Sequence, residues 1–113
     1  PFRQFIFSKD LAKIILKLTL MSLEDKCDKY LNIIASPIEE YSISEIAFQI
    51  ADIFDFDKTN IKFEKFEQND GQIQKTASNK KLVSLLDFNF TDIEIGLIET
   101  IYWFQSHYPN LRL

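Results

Sequence analysis

Apolar residues recur at helical spacing in several parts of this chain, each preceded by residues suited to a helix N-terminus. Ser8 is the expected N-cap of a first helix, whose buried face at positions i, i+3, i+4 and i+7 is Leu11, Ile14, Ile15 and Leu18. Two further helices are expected to begin at capping boxes, in which a hydroxyl and a carboxylate three residues apart satisfy backbone N–H groups. These boxes are Ser42-Ile43-Ser44-Glu45 and Thr91-Asp92-Ile93-Glu94.

The apolar residues that follow each capping box define the face expected to be buried. In the second helix this face is Ile46, Ala47, Ile50, Ala51 and Phe54, and in the last helix it is Ile93, Leu97, Ile101 and Phe104. A shorter helix, capped by Ser78 or Asn79, carries Leu82, Leu85 and Leu86.

Short apolar or alternating runs between these helices predict three strands, at residues 3–7, 31–35 and 61–64. The charged stretch 22–29 lacks periodicity and is expected to be a loop. Short strands that alternate with single helices are typical of an α/β arrangement. The pattern therefore predicts one small α/β domain over residues 1–113.

The composition is that of an ordinary globular protein, with 46% hydrophobic and 27% charged residues. Eleven phenylalanines predict an aromatic-rich core, in which Tyr102, Trp103 and Phe104 of the last helix take part. The net charge of −4 argues against nucleic-acid binding. No apolar run reaches the roughly 20 residues of a membrane span, so no membrane partner is expected.

Several kinds of site are excluded by the residues that the chain lacks. Two glycines cannot supply a dinucleotide-binding or Walker loop. Cys27 and His107 are single and far apart, so no metal site is expected. A single cysteine cannot form an internal disulfide, which fits a cytoplasmic location.

Three side chains are candidates for binding a phosphate-bearing ligand. The Arg3 guanidinium can hold paired oxygens in bidentate fashion, and Lys75 adds charge just after the Asp70-Gly71 turn. The Asp70 carboxylate can accept hydrogen bonds from a ribose diol or a guanine edge. The residues alone are more typical of a strand-end arginine, a plain turn and a solvated lysine, and Lys80 and Lys81 fit a solvated helix face.

Three stretches resemble the C-terminal region of the GDP-L-fucose synthase family, within the extended short-chain dehydrogenases/reductases. Residues 3–12 resemble its R-Q-F-I-Y-S-x-D-L-A segment, and residues 42–45 its S-I-x-E helix start. Residues 70–79, followed by Phe90-Thr91, resemble its D-G-Q-x-x-K-T-A-S-N…F-T run. The family's W-F pair matches Trp103-Phe104. The resemblance covers nearly the whole chain.

The resemblance implies a small C-terminal substrate-binding domain cut from a longer cytoplasmic enzyme. Its parent would epimerise GDP-4-keto-6-deoxy-D-mannose at carbons 3 and 5 and reduce carbon 4 with NADPH. Arg3, Asp70 and Lys75 match the family's contacts to the GDP-sugar. The NADPH loop and the catalytic groups belong to a Rossmann domain that is missing from this chain, so none of its own residues is expected to be catalytic. The parent is expected to be a homodimer.

Two alternatives stay open at this point. The chain could be the same domain of a different nucleotide-sugar epimerase or dehydratase, which a competition between guanosine and uridine nucleotides would distinguish. It could also be a non-catalytic interaction module built on this fold. Motifs in the residues before Pro1 of the source gene, a glycine-rich strand-turn-helix and a Tyr-x-x-x-Lys, would support the enzyme.

Overall fold

The computed structural model describes residues 1–26, 32–64 and 74–110. Within these ranges the chain is a small α/β domain with four α-helices and one two-stranded antiparallel sheet. The elements are β1 (Phe2–Arg3), α1 (Ser8–Leu23), β2 (Tyr41–Ser42), α2 (Ile43–Ile53), a 3₁₀ turn (Lys58–Asn60), α3 (Lys80–Leu85) and α4 (Ile93–His107). In the sheet, Phe2 lies opposite Ser42 and Arg3 opposite Tyr41.

The first predicted capping box is confirmed at the start of α2. The Ser42 hydroxyl accepts a hydrogen bond from the Glu45 backbone N–H at 3.1 Å, and the Glu45 carboxylate accepts one from the Ser42 N–H at 2.6 Å. Ala51 on this helix is buried, as its spacing predicts, whereas Phe54 lies beyond the last turn and is exposed. The local sequence therefore determines where α2 begins.

The second predicted capping box is wrong. The N-cap position of α4 is Asp92, which makes no side-chain capping bond. The Thr91 hydroxyl instead donates to Asp10 Oδ1 at 2.8 Å, and the Thr91 backbone N–H donates to Asp10 Oδ2 at 2.7 Å. Asp10 is only 3% exposed, and Thr91 occupies both of its oxygens. This clamp connects the first turn of α1 to the start of α4.

The other differences from the predicted elements concern their boundaries. Ser8 is the first residue of α1 rather than its cap, and the helix continues to Leu23, beyond the predicted start of the loop. The first strand is confined to Phe2–Arg3, and residues 32–35 and 61–64 form no regular structure, while Leu31 lies outside the described residues. Asn79 precedes α3 but makes no capping bond. A strand needs a partner, and within residues 1–26, 32–64 and 74–110 only the β1 and β2 segments pair over two residues.

Aspartates, not glycines, terminate both α1 and α2. Asp25 and Asp55 have φ of 55°, in the left-handed region. After α1, the Lys26 N–H bonds to the Met21 carbonyl at 2.8 Å, and after α2 the Phe56 N–H bonds to the Ala51 carbonyl at 2.8 Å. These 6→1 bonds are those of the Schellman motif, which usually places glycine at the left-handed position.

The buried apolar core of the described residues is small. It consists of Ile14, Ala51, Leu82 and Ile101. None of the phenylalanines in the described ranges is buried, and Tyr102, Trp103 and Phe104 are exposed, so the expected aromatic core is wrong. Exposed apolar stripes run along α1 and α4, at Leu16, Leu20 and Leu23 and at Ile95, Ile98 and Tyr102.

The surface area is large for the mass of the chain. It is 9308 Å², whereas a compact monomer of 13.3 kDa is expected to expose about 6,400 Å². In the described parts of the chain, no helix has the length and apolar character to cross a bilayer. Exposed apolar residues lie both on the helices and outside them, for example at Ile38 and Phe56.

Removal of the Asp10 clamp is expected to destabilise the fold. Asp10→Ala leaves two Thr91 donors without their charged acceptor and should lower the free energy of unfolding by roughly 3 kcal/mol. Thr91→Val, which removes only the hydroxyl donor, should cost about 1.5 kcal/mol. Urea denaturation measures both changes. Asp87→Ala, at an exposed position, is the control and should stay within about 0.5 kcal/mol of the wild type.

Glycine at the left-handed position after α2 is expected to stabilise the protein. The left-handed conformation costs a residue with a Cβ about 1 kcal/mol, which Asp55→Gly should recover in part. Thermal or urea unfolding measures the gain. Asp52→Gly, inside α2, is the matched control and should instead destabilise by about 1 kcal/mol. Equal losses in both variants would contradict the assignment of the motif.

Candidate functional site

Two of the predicted ligand-binding residues lie on neighbouring segments. An isolated parallel bridge joins Phe2 to Gln74, so the residues that follow them, Arg3 and Lys75, occupy adjacent positions. Side chains alternate between the two faces of extended segments. Arg3 and Lys75 are therefore expected to share a face, opposite the one that carries Gln74. The bridge thus places two cations that are 72 residues apart in sequence on neighbouring segments.

The side-chain amide of Gln4 holds these segments in place. Its Oε1 accepts a hydrogen bond from the Ala77 N–H at 2.8 Å. Its Nε2 donates to the Pro37 carbonyl at 2.9 Å and to the Ala77 carbonyl at 3.2 Å. Asn79, which is 8% exposed, adds a bond from its Nδ2 to the Ser36 carbonyl at 2.8 Å. Side chains thus supply the cross-segment bonds that a longer sheet would otherwise provide.

The Glu40 carboxylate binds the residues on either side of Lys75. Its Oε2 accepts from Gln74 Nε2 at 2.7 Å, and its Oε1 accepts from the Thr76 hydroxyl. The bonds from Thr76 and then Gln74 hold the pKa of Glu40 below its usual value. These bonds require the ionised carboxylate, which can accept from both donors.

Arg3 and Lys75 have no carboxylate partner among the described residues. Arg3 is half-buried, and its Nη1 donates to the Phe2 carbonyl at 2.7 Å. Lys75 is exposed. Asp70, the third predicted contact, lies outside the described residues. Two adjacent cations without a countercharge form an arrangement that can bind an anion such as a diphosphate.

Lys80 and Lys81 are exposed at the start of α3, as predicted for a solvated helix face. Neither forms an ion pair within the described ranges. They lie after Asn79, whose side chain is directed to Ser36. Lys80 and Lys81 therefore add positive charge close in sequence to Lys75, and their side chains form no ion pair among the described residues.

Two open clefts lie next to this region, and Arg3 and Lys75 line neither of them. The first, of about 440 Å³, is mainly apolar and includes Phe5, Tyr41 and Phe90. Tyr41 is the cross-strand partner of Arg3, so this cleft adjoins the cationic residues. The second, of about 690 Å³, lies between the start of α1 and the end of α4.

No arrangement typical of acid–base or metal catalysis is found in the described parts of the chain. His107 stacks on Trp103 with ring centroids 4.5 Å apart, and its Nδ1 lies 2.7 Å from the Trp103 carbonyl oxygen. No group of three or more His, Cys, Asp or Glu residues in those parts could hold a metal ion. Cys27 lies outside the described residues.

Sequence reasoning missed the residues that build the scaffold of this site. Gln4, Thr76 and Asn79 stand in the stretches that carry the family resemblance, and Asn79 was also expected to cap a helix. Gln4, a polar residue within a predicted strand, was a usable signal, because a buried amide needs hydrogen-bond partners. Glu40 had no such signal, since nothing local connects it to Gln74 or Thr76.

Comparison with known proteins finds relatives that match nearly the full chain, among them the following two. A probable GDP-L-fucose synthase of Drosophila melanogaster is 34% identical over 113 residues, and a GDP-L-fucose synthase of Dictyostelium discoideum is 38% identical over the same length. Each match covers 99% of this chain but 34% of the relative, so the chain spans about a third of the relatives' length. No family model matches. The resemblance predicted from the sequence is confirmed, and a third of the length is consistent with a C-terminal region.

Gln4→Glu is expected to test the orientation of the Gln4 amide. The new carboxylate would face two carbonyl oxygens where the amide donates, so the free energy of unfolding at pH 7 should fall by about 1–3 kcal/mol. This environment raises the pKa of the introduced carboxyl, because only its protonated form can donate. The loss should therefore diminish as the pH falls from 7 towards about 4.3, the ordinary pKa of glutamate, and should not change further below it. Urea denaturation across pH 3.5–7 measures it.

Gln105→Glu is the control for this substitution, because Gln105 is exposed near the end of α4. It should change stability by less than about 0.5 kcal/mol at every pH. A loss in Gln4→Glu that does not depend on pH would contradict the assigned orientation.

Proposed function

We propose that this chain is the C-terminal substrate-binding domain of a GDP-L-fucose synthase. It is similar to such enzymes over about one third of their length. The observation that carries the proposal is that a chain similar to these enzymes over nearly its full length places Arg3 and Lys75 on adjacent segments, with no ion pair to either cation among the described residues. The small α/β fold agrees with a domain that belongs to the extended short-chain dehydrogenase/reductase family.

The domain binds the nucleotide part of the substrate. Arg3 and Lys75 hold the diphosphate of a GDP-sugar, and Asp70 contacts the ribose or the guanine. A guanidinium binds two oxygens in a fixed geometry, while a lysine adds a movable charge. Their placement on two segments tied by Gln4 and Glu40 supports a binding site that is formed before the ligand arrives.

The parent enzyme carries out the chemistry on the sugar. It epimerises GDP-4-keto-6-deoxy-D-mannose at carbons 3 and 5 and reduces carbon 4, with NADPH as hydride donor. The NADPH and the catalytic groups are bound by a Rossmann domain of the same protein, and the parent is a cytoplasmic homodimer. Fixing the distant diphosphate uses binding energy to orient the sugar ring while successive carbons react.

The exposed apolar surface supports a second domain in the complete protein. The stripe Leu16, Leu20 and Leu23 on α1 and the stripe on α4 lie exposed, and the total surface is well above that of a compact monomer. A stable protein normally covers such faces. A Rossmann domain packed against them would bury this area and close the substrate site.

Nucleotide titration of the complete protein that contains this chain is the test of the proposal. The wild type should bind GDP more tightly than UDP. Arg3→Ala and Lys75→Ala should each weaken GDP binding about tenfold or more, because a charge-assisted hydrogen bond contributes about 1.5–3 kcal/mol. Asp70→Ala should weaken it as well. Isothermal titration calorimetry measures the GDP affinity of the wild type and of the three variants, and the UDP affinity of the wild type.

Lys13→Ala is the matched control, since Lys13 is an exposed lysine on α1 away from the bridge. Its affinity for GDP should equal that of the wild type. Equal affinity for GDP and UDP would favour another nucleotide-sugar enzyme. A wild type that binds neither nucleotide would contradict the proposal.

A further inference from the structure

We infer that Glu40 is a positioning residue for Lys75, holding the lysine beside Arg3 so that the two cations bind one diphosphate together. This inference rests on the function proposed above and assigns a role to a residue that does not itself touch the ligand. It follows from the contacts on either side of Lys75.

The Glu40 carboxylate grips the chain on both sides of Lys75. One oxygen accepts from the Gln74 side chain at 2.7 Å and the other from the Thr76 hydroxyl. Because side chains alternate along an extended segment, fixing residues 74 and 76 on one face directs residue 75 to the other. The bridge from Phe2 to Gln74 then places that other face next to Arg3.

Two further contacts prevent the segment from shifting along β1. Ala77 exchanges hydrogen bonds with the Gln4 side chain, and Asn79 bonds to the Ser36 carbonyl. The Gln4 and Asn79 bonds hold the later part of the segment, whereas Glu40 is the residue that holds positions 74 and 76. Among the described contacts, the position of Lys75 therefore depends most directly on this carboxylate.

Electrostatics and positioning predict opposite effects for the loss of the Glu40 charge. A carboxylate near a diphosphate repels it, so simple removal of the charge should tighten GDP binding. If Glu40 positions Lys75, its removal should loosen the lysine and weaken GDP binding instead. The sign of the change in affinity separates the two effects.

The experiment measures GDP affinity of the complete protein by calorimetry for Glu40→Gln, Thr76→Val and Lys75→Ala, and for Glu40→Gln combined with Lys75→Ala. Glu40→Gln and Thr76→Val should each weaken binding by between about twofold and about tenfold, the factor that corresponds to one hydrogen bond. Thr76→Val changes no charge, so its effect reports the contact alone. In the Lys75→Ala background, Glu40→Gln should cause no further weakening.

Glu39→Gln is the control, because it removes the same charge at the next residue, and no hydrogen bond or ion pair of Glu39 occurs among the described contacts. Its GDP affinity should be unchanged or slightly higher. Unchanged or tighter binding in Glu40→Gln would overturn the inference while leaving the proposed function intact. Equal weakening with and without Lys75 would also overturn it, since Glu40 would then act through the fold. A wild type that does not bind GDP would contradict both the proposed function and the positioning role of Glu40.

Discussion

The hydrogen bonds of the Gln4 side chain connect segments of this domain that are distant in sequence. Its amide bonds to main-chain groups at Pro37 and Ala77, which are far apart in sequence and have no sheet to join them. With β1 and β2 only two residues long, main-chain ladders cannot align these segments. An amide is suited to this task because it donates and accepts at once, so it can satisfy an N–H and carbonyls of different segments.

The Asp10 clamp joins two helices, as the Gln4 side chain joins the extended segments. Its two oxygens bind the backbone and the hydroxyl of Thr91, which sets the start of α4 against the first turn of α1. The buried apolar core among the described residues contributes only Ile14, Ala51, Leu82 and Ile101. In such a molecule a few buried polar contacts specify the arrangement, because burial alone would permit several helix packings.

The sequence predicted those features whose causes are local. The Ser42–Glu45 box depends on residues within one turn and is confirmed. The predicted buried faces of the helices are confirmed only at Ile14, Ala51, Leu82 and Ile101, whereas Leu11, Ile15 and Phe104 are exposed. The Thr91 box failed because Asp10, distant in the chain, competes for the same hydroxyl. The predicted strands failed because a strand needs a partner, which its own residues do not show. For the site, the identity of the cations came from the resemblance, but the adjacency of Arg3 and Lys75 depends on a pairing across the chain.

The residues of the stretch Lys75 to Asn79 differ in their roles. Thr76, Ala77 and Asn79 bond to Glu40, Gln4 and Ser36, whereas Lys75 is exposed and forms no ion pair among the described residues. A homologue that no longer binds the ligand could therefore retain most of these residues, because they maintain the fold. Similarity across the stretch consequently reports ancestry and shape. Under the function proposed above, positions 3 and 75 carry the separate information about what is bound, so these two positions distinguish relatives that bind the ligand from relatives that kept only the architecture.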